Sequence, residues 1–103
     1  HSALERVAHV VLPARVAAEK LGTLTNHAGR VQRVAPAVEP AHLAYSEGET
    51  LMRLARALGL SLFEGPWDAR MVSRAIGAAV PAFAGVDVDS VGDDGRPLRG
   101  AGA

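Results

Sequence analysis

The sequence contains no cysteine. Within these residues that excludes disulfides, thiolate zinc sites, iron–sulfur clusters and cysteine nucleophiles. Aromatic residues are scarce, at 4%, so Leu, Val, Ile and Ala must fill any core. Neither charge sign predominates, because Lys plus Arg and Asp plus Glu each number 11. A nucleic-acid surface or a polybasic membrane patch needs an excess of positive charge, so neither partner is expected. No apolar run approaches the roughly 18 residues that span a bilayer, so direct membrane insertion is not expected. The start lacks a basic region followed by an uninterrupted apolar stretch, and no signal peptide is expected.

What is present is apolar substance, 49% of 103 residues, enough for one modest core. Residues 7–12 are apolar on both alternating faces apart from His9. That pattern predicts a strand buried on both sides, as in a parallel sheet. Such a strand needs neighbours, and few other candidates exist, so the sequence reads as a piece of a larger layered α/β domain. Pro13 ends the strand. Residues 14–20 are expected to make one or two helical turns with Val16 and Ala17 inward, broken by Gly22. Thr23-Leu24-Thr25 and Val31-Gln32-Arg33-Val34, separated by Asn26-His27-Ala28-Gly29, predict a β-hairpin with a four-residue loop. Pro36 and Pro40 bracket an extended strap along the surface.

Two amphipathic helices follow. Ser46-Glu47-Gly48-Glu49 has the form of a capping box. Leu51, Leu54 and Leu58, with Ala55, form the expected buried stripe, Arg53 and Arg56 lie off it, and Gly59 is the stop. Asp68 caps the second helix, whose stripe is Met71, Val72, Ala75, Ile76, Ala79 and Val80, ending at Pro81. Trp67 is placed to staple its start. Val86, Val88 and Val91 are expected against the core, and Asp93-Asp94-Gly95 is a turn. Residues 1–98 are read as one unit and residues 99–103 as a flexible tail. The fold class is therefore α/β, or α+β within the piece.

Candidate chemistry is thin. No two of His1, His9, His27 and His42 have the i, i+4 spacing of a zinc helix, and no metal site is expected. His9 reads as a tolerated strand residue, His27 and His42 as solvent-facing. No serine lies in a G-x-S-x-G elbow, so no catalytic residue is assigned. Glu19, Arg30 and Gln32 alone flank the organising stretch closely enough to form a polar network. It reads first as an ion pair plus turn hydrogen bonds, and second as a ligand contact. A partly buried pair of that kind costs roughly 3–5 kcal/mol to break on one side. Thr23 and Asn26 read as ordinary strand and turn residues.

Val10-Val11-Leu12-Pro13, Glu19-Lys20, Gly22-Thr23, Thr25-Asn26 and Gly29-Arg30-Val31-Gln32 together resemble the molybdopterin oxidoreductase superfamily. Ala37-Val38-Glu39-Pro40, the helix end through Leu58-Gly59, and Pro81 followed by Phe83-Ala84-Gly85 extend the resemblance over most of the sequence. The Gly29-Arg30-Val31-Gln32 step looks most like the C-terminal part of the G subunit of NADH–quinone oxidoreductase, respiratory complex I. True pterin enzymes tend to have two basic residues before Val-Gln. The resemblance implies a non-catalytic structural or assembly domain in a bacterial complex I, with electron transfer carried by iron–sulfur clusters elsewhere in the parent chain. Its partners would be the rest of its own chain and other peripheral-arm subunits. It would lie on the cytoplasmic side of the inner membrane as a peripheral part of the complex. The alternative is part of a catalytic, formate dehydrogenase-like subunit. There Glu19, Thr23, Asn26, Arg30 and Gln32 would line or support a molybdopterin cofactor. The superfamily usually carries an acid where His9 and Leu21 stand, and the complex I subunit commonly carries one where Ala28 stands, so polar partners near the hairpin are lost.

Overall fold

A computed structural model describes residues 2–40, 43–98 and 100. The elements in order are β1 (Gly22–Thr25), β2 (Arg30–Val34), α1 (Glu47–Ala57), α2 (Ala69–Ala79) and β3 (Arg96–Pro97), with 3-10 turns at Ala17–Glu19 and Pro81–Phe83. The result is a mixed α/β fragment: a small antiparallel sheet, β1-β2-β3, accompanied by two helices.

The hairpin forms where the sequence places it. Thr23 pairs with Arg33, Leu24 with Gln32 and Thr25 with Val31. Its loop is held by Asn26, whose Oδ1 accepts from the N–H groups of Ala28 and Arg30, both at 3.0 Å. A short polar side chain that bonds its own backbone two residues on favours such turns. Gly29, with φ of 70°, supplies the left-handed residue. β3 then pairs with β2 at Arg30 and Val31.

The core lies on one face of this sheet. Val31, 1% exposed, meets Val86 and Val91, with Phe83 and Leu98 packed against them. A tight turn presents these valines. The Asp87 carboxylate accepts from the N–H groups of Asp89 and Ser90, and the Ser90 hydroxyl accepts from the N–H of Asp87. Val86, Val88 and Val91 are thus buried as expected.

α1 starts at Ser46, whose hydroxyl accepts from the N–H of Glu49 at 3.3 Å. Only this half of the capping box is seen, because the Glu49 carboxylate takes Arg53 one turn on, at 3.0 Å. The helix ends in a Schellman motif: Gly59 N–H donates to the Arg56 carbonyl and Leu60 N–H to the Ala55 carbonyl. Gly59 has φ of 77°. α2 starts at Asp68, which accepts from the N–H of Arg70, and stops before Pro81. The strap after β2 hugs the surface, with the N–H groups of Ala37 and Val38 both donating to the Ala18 carbonyl.

Several expectations are corrected. Residues 7–12 form no strand. Val7 and Val10 are each 74% exposed, and Val11 and Leu12 are also exposed. A strand buried on both faces needs partners on both edges, and the described residues supply one isolated parallel bridge, Ala14 to Tyr45. His9 is therefore exposed coil, not a strand residue. Residues 14–20 make only a three-residue 3-10 turn, with Val16 outward.

The α1 stripe is turned about the helix axis. Met52, 3% exposed, and Ala55 face inward, while Leu51, Leu54 and Leu58 face out. Trp67 sits across Gly48 in the first turn of α1, where a Cβ would fall within its ring. It therefore joins the two helices rather than serving only its own. In α2, Met71, Val72 and Ala75 are half-buried, but Ile76, Ala79 and Val80 are exposed. His1, His42 and most of the expected tail, Arg99 and residues 101–103, lie outside the described residues.

Candidate functional site

The five residues marked as possible cofactor contacts occupy separate places. Glu19 closes the 3-10 turn, its carboxylate accepting from the N–H of Val16 at 3.0 Å. Asn26 is engaged in the hairpin loop. By register, Thr23 shares the core face with Thr25 and Val31, whereas Leu24, Gln32 and Arg30 alternate onto the opposite face. Thr23 and Gln32 therefore point away from each other.

Arg30 is exposed. Its guanidinium donates to the carbonyl oxygens of Asp94 and Gly95, both at 2.9 Å. The expected buried ion pair with Glu19 is replaced by a brace between the hairpin and the 93–95 turn. Arg33 adds a second tie to that turn through Asp93 at 2.7 Å. The bracing is local in space but spans about sixty residues of sequence, so no spacing rule reveals it. Among the described residues these five do not gather into one cradle.

Hollows flank the sheet and helices. One, of about 230 Å³, lies between the core face and α2, with Thr23, Thr25 and Ser73 over Val31, Phe83 and Val86. The Ser73 hydroxyl donates to the Arg70 carbonyl and accepts from the N–H of Val88. It has neither a base nor a free orientation for nucleophilic work. Another, of about 240 Å³, is edged by Arg15, Glu19, Lys20, Ser46, Trp67 and Asp68. Its basic groups are engaged internally. Arg15 Nε donates to the Ala44 carbonyl at 2.8 Å. Lys20 Nζ meets Glu47 at 2.6 Å.

A further hollow, of about 240 Å³, is bounded by Leu12, Tyr45, Thr50, Arg53 and Leu54, and its open wall is apolar. Arg53 sits 3.9 Å from the Tyr45 ring centroid while it pairs with Glu49.

Two carboxylates are shifted. Hydrogen bonding from Lys20 holds the Glu47 carboxyl below its ordinary 4.5. Hydrogen bonding from Arg70, aided by Arg74, holds Asp89 below its ordinary 3.8. Both shifts belong to ion pairs that join distant segments, not to a poised acid or base. Among the described residues, no three His, Cys, Asp or Glu side chains form a group able to hold a metal. No described helix is long and apolar enough to cross a membrane.

The ties missed from sequence are Arg15 to residue 44, Lys20 to Glu47, Arg70 and Arg74 to Asp89, and Trp67 on Gly48. Each joins residues far apart in the sequence, and only the local caps carried a readable signal.

Proteins similar to this one are alpha subunits of oxidoreductases. One is the NADPH-Fe(3+) oxidoreductase subunit alpha of Geobacter sulfurreducens, 43% identical over 82 residues, covering 79% of this chain and 9% of that protein. Another is the F420-dependent formate dehydrogenase 2 subunit alpha of Methanococcus maripaludis, 33% identical over 90 residues, covering 87% of this chain and 13% of that protein. The formate dehydrogenase 1 subunit alpha of the same organism matches with the same identity and coverage. The chain thus spans about a tenth of the length of the curated relatives it matches. No protein-family profile matches it.

Proposed function

We propose that this chain is a structural segment of the large alpha subunit of a molybdopterin-type oxidoreductase, in the class of formate dehydrogenases and NADPH–iron oxidoreductases. It braces the redox-active part of the same polypeptide without itself handling electrons. The observation that carries this is the use made of Glu19, Asn26 and Arg30. Each is engaged in holding the hairpin or its neighbours. The similarity to alpha subunits supplies the class. Iron–sulfur clusters and pterin would then be held by other parts of the parent chain. The partners would be those parts and the subunits that receive the electrons.

A second, finer reading is favoured by Gly29-Arg30-Val31-Gln32, the step that resembles the G subunit of complex I. It would place the parent in the peripheral arm on the cytoplasmic side of the inner membrane, passing electrons from NADH towards quinone.

Arg30→Ala in the natural-length subunit tests the structural role. Loss of two exposed charge-assisted hydrogen bonds should cost about 1 kcal/mol. The melting temperature should fall while molybdenum or tungsten per folded subunit and specific activity stay unchanged. Metal loss at an unchanged melting temperature would overturn the structural reading. Assays of the unmodified parent separate the classes: formate- or NADPH-dependent reduction supports the first, and NADH–quinone activity of an assembled complex supports the second.

A further inference from the structure

The sequence has one Asp-Gly step, Asp94-Gly95. The other four aspartates, Asp68, Asp87, Asp89 and Asp93, precede larger residues. Each of their carboxylates already holds a hydrogen bond or an ion pair. The Asp94 carboxylate is exposed and has no polar partner among the described residues. Nor does the Gly95 N–H find an acceptor among them. Without a Cβ, glycine lets a neighbouring group approach its backbone closely. An open carboxyl and an open peptide nitrogen thus stand in adjacent residues. Arg30 brings a cation to the same link. Its Nη1 donates to the Asp94 carbonyl oxygen, the far end of the peptide group that contains the Gly95 nitrogen, at 2.9 Å. When that nitrogen loses its proton, the charge spreads onto this oxygen, where the guanidinium meets it.

We propose that Asp94-Gly95 is a self-modification site, where isoaspartate forms while Arg30 polarises the reacting carbonyl. The Gly95 nitrogen attacks the carbon of the Asp94 side-chain carboxyl. The N–C bond forms, a carboxyl C–O bond breaks, and the oxygen leaves as water with the amide proton and the carboxyl proton. Water then adds to the ring carbon that was the Asp94 backbone carbonyl. The oxygen that gathers negative charge in this step is the one Arg30 holds. The bond from that carbon to nitrogen breaks, and the nitrogen takes back a proton. The chain now runs through the Asp94 side chain and is one carbon longer, with its composition unchanged. The added length falls just before β3, where there is little room to take it up. A Cβ on Gly95 would already come 2.5 Å from the Val31 carbonyl oxygen. β3 therefore loosens from β2.

Peptide mapping of the natural-length subunit, stored folded at physiological temperature, is the test, with fragmentation that separates the two isomers at equal mass. Isoaspartate at Asp94 should exceed that at each of the other four aspartates by at least about fivefold. Arg30→Gln removes the cation and should slow its formation about threefold. A role confined to holding the turn would instead make that variant react faster. Asp94→Glu carries its carboxyl one carbon further out and should form none. The amide of Leu98 donates to the Gly29 carbonyl at 2.9 Å. In the stored wild type it should exchange about tenfold faster than in Asp94→Glu stored alongside. Isoaspartate no more abundant at Asp94 than at the other aspartates would overturn the proposal. So would faster formation in Arg30→Gln, or equal Leu98 exchange in the two stored proteins.

Discussion

The hairpin half and the leading arm contain the same kinds of residue and meet opposite fates. Val31 sits at 1% exposure, between two strands and beneath Val86 and Val91. Val10, equally β-branched and set in an apolar run, is 74% exposed. The difference is not propensity. β2 has a partner on each edge, and one of them is supplied by a loop of four residues, which makes closure inexpensive in entropy. Among the described residues the arm has no strand partner except at Ala14. Apolar character decides that a residue can be buried, and available partners decide whether it is.

That contrast can be broken by substitution. In this chain Met52→Ala should cost about 3 kcal/mol, because it empties the best-buried site of α1, while Leu54→Ala, on a side chain 45% exposed, should cost well under half as much. Denaturant midpoints of the two variants check this, and equal losses would restore the stripe read from the sequence. Val31→Ala should cost about 2 kcal/mol against almost nothing for Val10→Ala. Comparable values would show that the arm is covered.

Gly95→Ala sharpens the hairpin side. Its φ is 72°, and a Cβ there would come 2.5 Å from the Val31 carbonyl oxygen. A loss of about 1–3 kcal/mol is expected, measured by thermal melting, with Gly65→Ala as the comparison. Gly65 shares the positive φ but has open space around its Cβ position.

The smallest effect concerns acid. The folded-state pKa of Glu47 is depressed below 4.5 by Lys20, so its contribution is complete above 4.5 and is lost as the pH falls through the depressed value. The pair is exposed to solvent and screened, so the loss is only about 0.5 kcal/mol. Lys20→Met should flatten that part of the stability profile below pH 4.5, and an unaltered slope would mean that the pair contributes nothing. Asp89 behaves with the same sign below its ordinary 3.8, and Arg70→Met should weaken that dependence.

Local chemistry is what the amino-acid order determined. Asn26 and Gly29 define a loop, Ser46 and Asp68 begin helices, Gly59 and Pro81 end them, and Val86, Val88 and Val91 are inner residues. Apart from the valines, whose burial is completed by Val31, each of these rests on interactions within a few positions, so a short window contains the cause. The likeness to oxidoreductase alpha subunits was also legible, from motifs spread through the sequence.

Tertiary structure alone decided which face of α1 turns inward, where Arg30 points, and that residues 7–12 lie uncovered. In α1, Leu51, Leu54 and Leu58 are more apolar than Gly48, Met52 and Ala55, yet the Trp67 ring requires the bare Gly48 surface. The face carrying Gly48, Met52 and Ala55 therefore turns in. Packing of that kind depends on the shape of whatever lies opposite, and no periodicity along one segment contains the shape of another.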